Sequence, residues 1–180
     1  MRARTQVGLF LAAYLLYDVA RWVTVGDVTP ALHNAQWVID TERRLGIGVE
    51  RSVQDALQQH VVVWLLGNVY LAAQLVVLPG SLIWLFRSNK AIYRRLRDTI
   101  LATWLLAVPV YAAFPVAPPR LAGLGMTDTV SSQAAVGLTG HSTMFYNPYA
   151  AVPSLHCGFA FAIGIALAAA AMRSGSPPIA

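Results

Sequence analysis

The chain has 180 residues, of which 57% are hydrophobic and 12% charged, and its formal net charge is +5. Soluble domains carry about 25% charged residues. This composition excludes an ordinary soluble domain and predicts an all-α, polytopic membrane protein of one membrane domain. The basic residues are clustered, which reads as membrane topology and not as nucleic-acid binding. Cys157 is the single cysteine, so an internal disulfide is excluded.

A bilayer-spanning helix needs about 20 mostly apolar residues. The first such stretch is 7–25. Asp18 and Arg21 interrupt it at a spacing that lets them pair on one helix face. Arg2 and Arg4 precede it, but no small-residue cleavage site follows, so it does not read as a removable signal. The polar stretch 28–60 places Trp37, Val38, Leu45, Val49, Val53 and Leu57 at roughly helical spacing. That pattern predicts interfacial amphipathic helices lying on the membrane, broken around Gly46 and Gly48. Glu42 and Glu50 fall on this surface and read as solvated, with Arg43, Arg44 and Arg51 as available partners.

The second span is 61–86, which holds no charged residue. Asn68, Tyr70 and Gln74 are polar groups within it, and such groups usually hydrogen-bond between helices. Tyr70 and Gln74 are four residues apart, share a face, and are candidates for lining a headgroup cavity. The third span is 99–116, with Pro109 as a kink point. Residues 120–151 are rich in Gly, Ser and Thr and read as a loop, which contains the cavity candidates Asp128, His141 and Asn147. The fourth span is 152–172, rich in the small residues that let membrane helices approach closely.

Topology follows from the basic residues. Arg2 and Arg4 lie before the first span; Arg87, Lys90, Arg94, Arg95 and Arg97 lie between the second and third. The loop before the fourth span holds only Arg120. The positive-inside rule puts the N-terminus in the cytoplasm and the start of the fourth span on the extracytoplasmic side, most naturally of the plasma membrane.

The segment Ala151-Val152-Pro153-Ser154-Leu155-His156 opens that fourth span. Helix N-termini expose unpaired N–H groups and favour phosphate. Ser154 adds a hydroxyl to this cradle, although a serine before a helix most often serves as its cap. The two roles are compatible. His156 adds a proton donor whose ordinary pKa lies near neutrality. Arg120, in Phe114-Pro115-Val116-Ala117-Pro118-Pro119-Arg120, is suited to gripping a phosphate bidentately. Antiparallel neighbouring spans predict that these two segments meet on one face, with Arg120, Ser154 and His156 around one phosphate.

The pairing of those two segments resembles the type 2 phosphatidic acid phosphatase superfamily, most closely its inositol phosphorylceramide synthase-like branch. Asp128-Thr129, Glu42 with Glu50, and the stretch from Tyr93 to Arg97 are similar to that branch as well. The resemblance runs from about Trp37 to Met172. It implies a helical membrane enzyme that cleaves or transfers lipid phosphates through a phosphohistidine intermediate. No metal or cofactor is implied, and no cluster here has metal-ligand spacing. It also implies Arg120 and Ser154 as phosphate ligands and His156 as the group assisting the leaving oxygen.

The chain departs from the family pattern at two points. Ala113 stands where the usual first motif has a lysine. The third motif, a nucleophilic histidine with an aspartate four residues later, is absent: Trp37, Trp64, Phe145 and Ala160 occupy those positions after the four histidines. The ending, Ser174 to Ala180, reads like an inter-helix loop. These features predict part of a six-helix phosphatase fold, inactive alone, acting when complete on a phospholipid or isoprenyl phosphate. The alternative is a non-catalytic membrane protein that binds a lipid or partner through the phosphate cradle. A transporter subunit fits less well, because no span carries a pathway of ionisable residues.

Overall fold

The computed structural model describes residues 2–24, 28–57, 59–123, 125 and 149–174, without the side chains of 20–24 and 174. Most of the expected loop, including Asp128, His141 and Asn147, lies outside the described residues, as does the stretch after Ser174. The described chain is helical. Its elements are α1 (Ala3–Thr24), α2 (Val28–Leu45), α3 (Glu50–Ala56), α4 (His60–Ala72), a π-helical turn (Ala73–Val77), α5 (Leu78–Ser88), α6 (Lys90–Ala113) and α7 (Leu155–Ser174). The one extended feature among the described residues is an isolated parallel bridge between Val116 and Ala150.

Three of these helical stretches are long and apolar enough to cross a membrane: His60–Ser88, Lys90–Ala113 and Leu155–Arg173. Helix α1 forms where the first span is expected. Helix α6 starts well before residue 99. Asn89 explains the start: its side-chain oxygen accepts the Ile92 N–H at 3.1 Å, a cap on the third helical residue. The Asn89 N–H also bonds the Leu85 carbonyl at 2.8 Å, so one residue closes α5 and opens α6.

The chain forms two compact units. The first comprises Met1–Asn68 and Ala107–Pro153. Its buried centre is small: Ala31, Ala35, Val116 and Ala117, flanked by partly buried Val38, Phe114, Ala122, Tyr149 and Ala151. Alanines on α2 let the backbone of the 115–117 segment approach closely. The Ala117 N–H donates to the Ala31 carbonyl at 3.0 Å, and the Asn34 amide donates to the Pro115 carbonyl at 2.9 Å. Trp37 packs edge-on against Phe114, with centroids 5.8 Å apart.

Helix α2 ends in a pair of bonds, from the Ile47 N–H to the Glu42 carbonyl and from the Gly46 N–H to the Arg43 carbonyl. With Gly46 at φ +71°, this is the Schellman termination, and it separates α2 from α3.

The second unit comprises Val69–Leu106 and Ser154–Ala180. Here α5 packs against α7. Leu85, Ile92, Leu96, Ile100 and Phe159 are buried, with Ala166 and Ala170 supplying the small surface that close helix packing requires. Trp104 meets Phe159 edge-on at 5.9 Å. The π turn at Ala73–Val77 interrupts what the sequence reads as one uniform helix. Pro79 gives the physical reason: it lacks an N–H, and its ring crowds the carbonyl of Leu75, inside the π turn.

Candidate functional site

In the first unit, the two motif segments are joined through their backbones. The Val116 N–H donates to the Tyr149 carbonyl at 2.8 Å, and the Ala151 N–H donates to the Val116 carbonyl at 3.2 Å. The Pro-Val-Ala-Pro-Pro-Arg segment and the Tyr-Ala-Ala-Val-Pro segment therefore run in parallel at Val116 and Ala150. Arg120 follows Val116 by four residues, and Ser154 follows Ala150 by four.

Tyr111, buried near the end of α6, extends this framework. Its hydroxyl donates to the Pro153 carbonyl at 2.6 Å, holding the residue that precedes Ser154. Nothing in the sequence flagged Tyr111 as special, because a tyrosine inside an apolar run reads as packing.

The first unit also holds a cavity of about 540 Å³. Its apolar wall includes Ala35, Val38, Ile39, Val116, Ala117, Ala151 and Val152; its polar wall includes Glu42, Arg43, Glu50 and Arg51. Arg120 is exposed and does not line this cavity, although Pro119 and Ala122 do. The glutamates were expected to be solvated, with Arg43, Arg44 and Arg51 as available partners, and Glu50 is exposed. Arg43 pairs with Asp40 at 3.6 Å and Arg51 with Asp55 at 3.9 Å. Partial burial holds the Glu42 carboxyl above its usual range, and the charge of Glu50 pushes it the same way. The sequence hid this because the facing wall comes from residues some seventy positions away.

In the second unit, Ser154 sits immediately before α7. Its Oγ accepts the Cys157 N–H at 3.4 Å, and its carbonyl accepts the Gly158 N–H at 3.1 Å. Ser154 is thus the N-cap of α7. Accepting the Cys157 N–H leaves the hydroxyl proton available for an anion.

His156, half-buried in the first turn of α7, meets Tyr70. The Tyr70 hydroxyl lies 3.0 Å from Nδ1, and the rings stack with centroids 4.2 Å apart and planes 18° from parallel. This is the between-helix hydrogen bond expected of a polar residue in the second span. The Asn68 amide donates to the Trp64 carbonyl of its own helix at 2.7 Å. Gln74 is partly buried and lies in the π turn. Among the described residues, no group of three or more His, Cys, Asp or Glu side chains is placed to hold a metal ion.

No curated protein and no solved structure matches the chain. The pattern that defines the PAP2 superfamily matches residues 36–179, a stretch that takes in the second half of α2, all of α3 to α7 and both motif segments. On the strength of that match, the chain belongs to the PAP2 superfamily.

Proposed function

We propose that this protein is a membrane lipid phosphatase or phosphotransferase of the inositol phosphorylceramide synthase-like branch. It acts on a phospholipid or isoprenyl phosphate through a phosphohistidine intermediate. Superfamily membership supports a phosphatase-like function with a phosphate-bearing substrate. The observation that supports the reading further is the backbone bridge between Val116 and Ala150, which joins the two motif segments within the first unit.

Arg120 binds the phosphate through its guanidinium fork, and Ser154 donates its free hydroxyl proton to a phosphate oxygen. His156 protonates the leaving oxygen as the P–O bond breaks. The reading assigns the nucleophile to none of residues 1–180. It takes α1 as a fourth span and places Ser154 and His156 on the extracytoplasmic side of the plasma membrane. Asp128, His141 and Asn147 are proposed to border the headgroup.

The test is orthovanadate binding to the purified full chain in micelles, alongside release of phosphate from defined lipid phosphates. Arg120→Ala and Ser154→Ala should each weaken vanadate binding by roughly tenfold or more, the weight of one hydrogen bond to a charged group. Vanadate binding unchanged by either substitution would sink the assignment. Binding that needs both residues, in a complete gene product that turns over no lipid phosphate, would favour a non-catalytic lipid-binding protein.

A further inference from the structure

His156 has one ring nitrogen already engaged. Nδ1 faces the Tyr70 hydroxyl at 3.0 Å, and the phenol ring lies flat against the imidazole. The consequence depends on the charge state. An imidazolium carries a proton on each nitrogen and has no acceptor. In the proton-donating form, Nδ1–H can therefore only donate to the Tyr70 oxygen. The stacked phenol face also favours a cation beside it.

We propose that Tyr70 is the positioning residue for His156: its hydroxyl accepts Nδ1–H and so assigns Nε2 as the nitrogen that delivers the proton. This inference rests on the reading of His156 as the acid for the leaving oxygen. In that step the Nε2–H bond breaks with its electron pair staying on the ring, and an O–H bond forms on the leaving oxygen. The P–O bond to that oxygen breaks, and the phosphoryl group passes to the histidine nucleophile of the proposed mechanism. His156 ends as a neutral ring whose remaining proton is on Nδ1, still held by Tyr70. Tyr70 thus fills the orienting role that a carboxylate fills for the histidine of a serine protease. A phenol does so without placing a second charge inside an apolar span.

The experiment is nitrogen-15 NMR of the full chain labelled at histidine, in micelles, at a pH where His156 is charged. With four histidines in the chain, His156→Asn identifies the signals. Tyr70→Phe keeps the stacked ring and removes only the oxygen. The wild type should show a slowly exchanging Nδ1–H signal from His156 that Tyr70→Phe loses, and orthovanadate should move the Nε2 signal. Tyr70→Phe should also weaken vanadate binding by roughly tenfold.

An Nδ1–H signal identical in Tyr70→Phe, or vanadate acting at Nδ1, would overturn the positioning role while leaving the phosphate reading intact. Vanadate that moves no His156 signal, with binding indifferent to Ser154→Ala, would overturn both.

Discussion

Tyr111 makes a short side-chain hydrogen bond beside the motif segments, 2.6 Å to the Pro153 carbonyl. Replacing it with Phe removes that bond, whose net worth is about 0.5–1.5 kcal/mol. Denaturant unfolding in micelles should register this as a lower midpoint with an unchanged slope. Glu42 gives a prediction of opposite sign. Its raised pKa means the folded state disfavours the carboxylate. Stability is therefore lost as pH rises from about 4–5, where a free glutamate titrates, through the raised value. Glu42→Gln should match the wild type in melting temperature at about pH 4 and exceed it at about pH 7. A difference that shrinks with rising pH would show the opposite linkage. Both residues illustrate what a single chain conceals. Ser154 and His156 announce themselves by type and neighbourhood, whereas Tyr111 and Glu42 matter because of what the fold sets against them.

Among the elements, the break after α2 was legible because glycine is the residue that tolerates a positive φ. Gly46→Ala forces that conformation on a side chain and should cost about 1 kcal/mol, read in the same unfolding measurement. Gly46→Asn should cost less, since asparagine visits the left-handed region more readily. Helix α6 was legible only in its apolar half. Its first nine residues carry Lys90, Arg94, Arg95, Arg97 and Asp98, so hydropathy alone starts the helix late. The signal that places its true start is Asn89, a cap residue standing three positions before the N–H it accepts. The π turn escaped for a similar reason. Periodicity averages over a long apolar stretch, and one proline within it carries the information that the average removes.

For the whole molecule, the proposed arrangement across a bilayer rests on charge. Arg87, Lys90, Arg94 and Arg95 are exposed around the α5–α6 junction, where the positive-inside rule expects cytoplasm. Because Cys157 is the only cysteine, Cys157→Ala yields a thiol-free background. On it, Gly140→Cys should react with a membrane-impermeant thiol reagent in intact cells, and Ser88→Cys should react only after the membrane is opened. The reverse pattern would invert the proposed topology. The bridge between Val116 and Ala150 has a practical consequence as well. It pins together two backbone points 34 positions apart in sequence, so the two ends of a chain cut between them are expected to stay side by side.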